Sequence, residues 1–176
     1  MGFLVRLASR AVIGAFERTS DVENLILDLQ RLGVRAFDVS VVGKTEIAST
    51  ISVPERRRGV LAALGKKGNW LGEARTLDEP GTGKVTGTGP LLEILASSPN
   101  TSPTGALVMQ GIPRRDAAIY ADLIAASKIL VLVGVADRTV GERVRDALNR
   151  HGAQSIAYYA GRPYGTAFHG VGPGLC

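Results

Sequence analysis

Apolar and polar positions along this chain switch between two periods, and they do so twice in the same order. Residues 11–16 form a compact apolar run that reads as a strand. Val22, Leu25, Ile26, Leu29 and Leu32 follow at i, i+3, i+4, i+7 and i+10, the single stripe of an amphipathic helix. Ser20-Asp-Val-Glu23 reads as a capping box at its start, and Gly33 stands where a left-handed residue would end it. Phe37, Val39 and Val41 alternate with small or polar partners, which predicts a half-buried strand over 36–43. Near the other end, residues 129–135 are almost continuously apolar and read as a central strand. Asp137 or Thr139 caps the next helix, with Val140, Val144, Ala147 and Leu148 inward and His151-Gly152 closing it. A last strand is predicted over 155–160, with Ile156 and Tyr158 on one face.

A shift of 119 positions superposes the two blocks without a gap, placing Val12 on Val131, Glu23 on Glu142, Leu29 on Leu148, Arg31 on Arg150 and Gly33 on Gly152. Two β-α-β units in one sheet imply an α+β fold. The simplest form is ferredoxin-like, a mostly antiparallel sheet with helices on one face. That form leaves the second face to be covered by the middle of the chain, by the C-terminal tail or by another subunit.

The middle is less regular. Residues 50–53 read as a short strand, 60–64 as a helical turn limited by Gly59, Gly65 and Gly68, 81–90 as a loop or hairpin, and 90–96 as a helix. Residues 97–104 are a turn cluster, and 104–112 fit strand and helix equally. Pro113 suits the first position of a helix, with Ala117, Tyr120, Ala121 and Ile124 as its stripe. The expected organisation is an N-terminal arm over 1–10, one α+β domain over 11–160 with an irregular insertion at 44–104, and a Gly-rich tail over 161–176.

Composition narrows the function classes. At 176 residues the chain suits a single domain, and glycine, at 22 residues, exceeds its usual share of about 7%. The lone cysteine, Cys176, allows no intramolecular disulfide, which fits a cytoplasmic setting. The net charge of +5 is as compatible with plain solubility as with an acidic partner. No apolar run reaches the roughly 18 residues of a membrane span. Phe3, Leu4 and Leu7 nonetheless give the N-terminal arm an apolar stripe, whose use is docking on protein or peripheral contact with a membrane.

The chemistry-bearing residues are sparse. Gly81, Gly83, Gly87 and Gly89 around Lys84 suggest an anion-binding nest. Yet Lys84 is followed by Val85 rather than the hydroxyl residue of a phosphate-binding loop, and a loop or hairpin is the favoured reading. Arg56-Arg-Arg58, Lys66-Lys67 and Trp70 form a basic stretch, but no nucleic-acid motif accompanies them, so nucleic acid is not an expected partner. His151 and His169 have no ligand partners at metal spacing. No catalytic residue, cofactor or metal is predicted.

One stretch carries a resemblance. Gly105-Ala-Leu-Val-Met-Gln-Gly-Ile-Pro113, followed by Arg114-Arg-Asp-Ala-Ala-Ile-Tyr120, resembles the small bacterial general stress proteins, also called heat-induced stress proteins. Asn149-Arg-His-Gly-Ala153 is similar to that family, as are Phe16 with its apolar strand and the helix at Asp21. The likeness covers 11–45 and 90–160, and its motifs carry no known catalysis. Two departures stand out. The middle is basic and polar where many relatives have a Gly-rich apolar pair of segments, and the tail is long. Both imply a specialised member with a dedicated partner.

The expected function is therefore a non-enzymatic homo-oligomer that serves as a scaffold or accessory subunit of a larger complex, joined by a second protein. Phe3, Leu4, Leu7, Tyr159, Tyr164 and Phe168 are the expected contacts. The alternative is a sensor of a small anionic metabolite or nucleotide, held by the Gly81–Gly89 segment.

Overall fold

A computed structural model describes residues 10–51, 71, 74–79, 82–97 and 102–160. The arm to residue 9, the tail from 161, and the basic stretch with Trp70 lie outside the described residues, and with them Phe3, Leu4, Leu7, Tyr164 and Phe168.

The first unit runs β1 (Arg10–Phe16), α1 (Thr19–Arg31) and β2 (Val39–Lys44), and the second β5 (Ile129–Val135), α6 (Arg138–Arg150) and β6 (Gln154–Ala160). The two helices are both 13 residues long and stand in the same 119-residue relation as the sequence blocks. Gly33 and Gly152 end them at φ 80° and 81°. Each closure is the same pair of bonds: Val34 N–H to the Leu29 carbonyl and Gly33 N–H to Gln30, then Ala153 to Leu148 and Gly152 to Asn149. β1 pairs antiparallel with β5, and Ile13 lies directly opposite Leu132, 119 positions on. The local twofold of the repeat thus passes between β1 and β5, at the centre of the four strands of the two units.

The described residues form a six-stranded sheet in the order β3-β4-β2-β5-β1-β6, every neighbouring pair antiparallel. β3 (Arg75–Glu79) and β4 (Gly83–Thr88) come from the middle of the chain as a hairpin. They extend the sheet beyond β2, so residues 44–104 are not simply an irregular insertion.

Alternation sorts the core into two layers. Val12, Phe16, Val39, Val41, Ile129, Val131, Val133 and Val135 meet Val22, Leu25, Ile26 and Leu29 of α1 and Val144, Ala147 and Leu148 of α6. Ala11, Ile13, Ala15, Val42, Val85, Leu130 and Leu132 point to the opposite face. That face is covered by three helices: α3 (Pro90–Ser97) through Leu91 and Leu95, α4 (Pro103–Met109) through Ala106 and Leu107, and α5 (Arg114–Ala125) through Ala117, Tyr120 and Ile124. The expectation of helices on one face alone is thereby corrected: of the covers considered for the second face, it is the middle of the chain, through α3 and α4, that supplies much of it, joined by α5. β1 and β5 are apolar on both sides, and a sheet of that kind needs two helical layers.

Several local expectations change for identifiable reasons. α1 starts at Thr19, with extended Arg18 as its N-cap and no side-chain capping bond from it, so Ser20 lies inside the helix rather than at its cap. Residues 36–38 form a 3-10 turn and leave Phe37 61% exposed, its ring under the Arg35 guanidinium at 4.2 Å. β2 therefore begins at Val39. Residues 50–51 are not strand: α2 (Thr45–Ala48) precedes them, and the Ser49 and Thr50 hydroxyls donate back to the carbonyls of Thr45 and Ile47. Pro113 is the N-cap of α5. Residues 104–109 are helical, because Ser102 accepts a bond from the Gly105 N–H at 3.1 Å and opens α4. Arg10, placed with the arm, is the first residue of β1.

Candidate functional site

Residues around β6 gather the least explained features of the molecule. Among the described residues β6 is an edge strand, bonded to β1 on one side. From 153 to 160 it reads Ala-Gln-Ser-Ile-Ala-Tyr-Tyr-Ala, with neither a charge nor a proline. The opposite edge, β3, carries Arg75, Asp78 and Glu79 among its five residues. Charges on an edge strand oppose pairing with a foreign strand. β3 has that protection and β6 does not.

β6 is held from both faces. On the α5 side, the Tyr120 hydroxyl donates to the Ser155 carbonyl at 2.6 Å, and the Tyr159 hydroxyl donates to Asp116 Oδ2 at 2.7 Å. Burial, then the bond to the Asp116 carboxylate, raises the Tyr159 phenol far above its ordinary range. Burial likewise raises Tyr120. Both rings therefore act as neutral donors. Ser155 sits at φ 53°, next to a shift in the β1–β6 register between Ile13 and Ala15. The Tyr120 bond thus pins an irregular backbone position at the start of the strand.

On the α6 side, the Tyr158 ring lies against Gly141, where a Cβ would come within 2.6 Å of Tyr158 Cε2. Glycine lets the aromatic ring slide under the helix. Beside it opens a cavity of about 330 Å³, lined by Arg10, Arg138, Glu142, Arg145 and Tyr158. Arg10 donates to the Ala136 carbonyl at 3.3 Å, and Arg138 pairs with Glu142 at 3.1 Å. Glu142 and Arg145 also line a second, more open hollow of about 650 Å³, with Asp146, Asn149 and Ser155 on its walls.

A further polar contact joins the two β-α-β units. Asp28 of α1 lies 2.5 Å from His151 Nε2 at the end of α6, 2.7 Å from Arg31 and 3.8 Å from Arg150. The hydrogen bond from His151, then that from Arg31, holds the Asp28 carboxyl below its usual range against the opposing effect of burial. Periodicity identifies His151 as a helix-terminal residue but not its partner, which is 123 residues away.

The glycine segment takes a different form from a nest. Gly83 begins β4 on the exposed hairpin, beside exposed Lys84. Gly87 lies inside the β4–β2 ladder opposite Val42, and Gly89 follows at φ 89° against β2. A Cβ would fall 2.3 Å from the Val41 carbonyl oxygen at Gly87 and 2.2 Å from that of Val39 at Gly89. Close strand contact accounts for both glycines. Gly81 lies outside the described residues. Of the expected partner contacts, the described one, Tyr159, points its hydroxyl inward to Asp116.

The stretch 105–113 also has a structural account. Ala106 and Leu107 are buried, Gly111 turns at φ 92°, and the Ile112 N–H returns to the Leu107 carbonyl at 3.2 Å. Among the described residues, no group of His, Cys, Asp or Glu is placed to hold a metal ion, and no helix is long and apolar enough to cross a membrane.

In comparisons with known proteins, no family model, no curated protein and no solved structure matches the chain.

Proposed function

We propose that this protein is a non-enzymatic, cytoplasmic scaffold or accessory subunit, built on a ferredoxin-like pair of β-α-β units and assembled as a homo-oligomer through β6. Kinship with the small bacterial general stress proteins belongs to the same proposal and rests on the resemblance at 105–120. The observation that carries the assembly is the contrast between the two sheet edges. β3 is charged, whereas β6 offers seven uncharged residues with an Ile and two Tyr. Two copies of such an edge pair antiparallel about a twofold axis, each supplying the same main-chain groups, and extend the sheet across the interface. A second copy is the partner that satisfies this symmetry with no further sequence requirement. A fixed hetero-partner would then bind the assembled oligomer.

Light scattering behind size exclusion tests the idea on the full chain. The expected mass is about twice the 18.5 kDa of one chain, or a multiple of that. Gln154 and Ala160 are exposed at the two ends of β6. In an antiparallel pair centred on Ala157 each faces the other across the twofold. The double variant Gln154→Lys, Ala160→Lys therefore sets like charges opposite each other and is expected to give monomers with an unchanged circular dichroism spectrum. A wild-type monomer at all accessible concentrations, or a variant of undiminished mass, would refute the assembly.

A further inference from the structure

We infer that the cavity beneath the start of α6 is a binding site for a small phosphorylated, hydroxyl-bearing molecule of the sugar-phosphate class. The site is bordered by β6 through Tyr158 and Ala160 but uses side chains rather than the main-chain groups that would pair two copies, so binding by calorimetry and assembly by mass are read separately.

The charge comes first. Three arginines, Arg10, Arg138 and Arg145, line one cavity from β1 and two turns of α6, Arg138 at its exposed rim, and Glu142 is the carboxylate among its lining residues. Glu142 is engaged by Arg138, and the nearby Asp137 is used in capping α6 through the Val140 N–H at 2.9 Å. Arg145 has no carboxylate within ion-pair distance among the described residues. Its neighbour on the other side of the helix, Arg143, does not line the cavity. A planar guanidinium presents two parallel donors, which match two oxygens of a phosphate. Arg10 is already oriented by its bond to the Ala136 carbonyl, so less side-chain freedom is lost on binding.

The shape comes next. The floor is the Tyr158 ring under Gly141, a flat apolar surface at the base of a polar rim. At about 330 Å³ the cavity is at the small end of ligand sites, enough for a phosphate and a few further atoms. Glu142 and Arg145 also line the neighbouring hollow walled by Asp146, Asn149 and Ser155, so the two hollows share a boundary. That second wall offers carboxylate, amide and hydroxyl groups, which suit hydroxyls and repel a second anion. One molecule spanning both hollows carries its negative end at the arginines and its hydroxyls toward Asn149. The anionic ligand first assigned to the glycine segment thus has a better-built place at the other edge of the sheet.

Titration calorimetry of the full chain tests this with ribose 5-phosphate, ribose and inorganic phosphate as probes, in low and physiological salt. The expected result is saturable 1:1 binding of ribose 5-phosphate that is tighter than inorganic phosphate, with none for ribose. Arg145→Ala should weaken it roughly tenfold or more, the loss of one charge-assisted pair of bonds. Arg143→Ala should leave it unchanged, and Asn149→Ala should weaken the sugar phosphate but not inorganic phosphate. Absence of binding overturns the inference. So does equal weakening by Arg143→Ala and Arg145→Ala, which would mean diffuse surface charge. Equal affinity for phosphate and ribose 5-phosphate would overturn the assignment of the second hollow.

Discussion

Three glycines separate two costs that are usually entangled, the cost of a left-handed backbone and the cost of a side chain meeting its neighbour. Gly33 has φ 80° with nothing within 4 Å of an added Cβ. Gly33→Ala therefore measures the conformational cost alone, about 1 kcal/mol after the gain from a stiffer unfolded chain is subtracted. Gly87 is not in the left-handed region, but its Cβ would lie 2.3 Å from the Val41 carbonyl oxygen and 3.1 Å from Val42 Cα. The obstacle is the backbone of a central strand and cannot swing aside. The cost is that of overpacking, toward the upper end of about 1–3 kcal/mol. Gly89 combines both: φ 89°, with a Cβ 2.2 Å from the Val39 carbonyl oxygen and 2.7 Å from Ser40 Cα. Moving β2 there also disturbs the buried bond from the Leu91 N–H to Ser40 Oγ at 3.0 Å, which ties α3 to the sheet. Gly89→Ala is therefore expected to cost about 3–5 kcal/mol, the sum of the two terms and part of that bond.

Urea unfolding followed by circular dichroism resolves these differences. With a slope of about 2 kcal/mol per molar, Gly33→Ala lowers the midpoint by about 0.5 M, Gly87→Ala by about 1.3 M and Gly89→Ala by about 2 M. The order is the test. If Gly89→Ala cost no more than Gly33→Ala, the β4–β2 contact would not be as close as described. The glycines of this segment would then have to be explained by something other than strand contact.

Other consequences follow from the same geometry. Asp28→Asn should destabilise the chain by about 1–2 kcal/mol at neutral pH, since it removes a charged acceptor from His151 and Arg31. Because the Asp28 carboxyl is held below its ordinary value in the fold, its contribution is complete above that value and is lost as the pH falls through the lowered one. Wild type and variant should therefore converge in acid; a difference that stays constant down to pH 2 would refute the pairing. Tyr120→Phe leaves the Ser155 carbonyl without its donor and should cost about 1–2 kcal/mol. Amide exchange should speed up in β6 before β5; uniform acceleration across the sheet would show that the bond does not hold that edge in particular.

How far the fold was legible depends on whether the determining contacts were local. Helices α1 and α6, their glycine stops and the central strand follow from apolar spacing within a few turns, and the 119-residue repeat reappears as the Ile13–Leu132 pair. The second helical layer was equally encoded, since residues 129–135 are apolar at both odd and even positions and so demand cover on both faces. Phe37 misled because hydrophobicity alone does not separate a strand position from a 3-10 turn, and its Arg35 partner offers an alternative to burial. Around β6 the strand and its Ile156–Tyr158 face were legible, but its long-range partners were not. Arg10 and Arg145 line one cavity only because α6 packs beside β1, and Asp28 and His151 meet only because the two units pack side by side.

The glycine segment shows how one composition carries two physical meanings. A backbone that approaches a phosphate and a backbone that approaches another strand both exclude a Cβ, so glycine spacing alone cannot choose between them. The residues between the glycines can. Val85, Thr86 and Thr88 are β-branched, and such residues favour extended, paired backbone and disfavour the tight curvature of a nest. In the fold, Val85 is buried in the core, while the Thr86 hydroxyl bonds to Thr76 at 2.7 Å and to Thr45 at 3.0 Å. Such pairing leaves Lys84 exposed on the hairpin, in register with Asp78 of the neighbouring strand. At α6 the logic is reversed: Gly141 admits an aromatic ring, and the charges of Arg10, Arg138 and Arg145 are carried on side chains that line the cavity beside it. An anion is better held where several guanidinium groups line one cavity than where glycines merely repeat, which is the ground for proposing a ligand site beside β6.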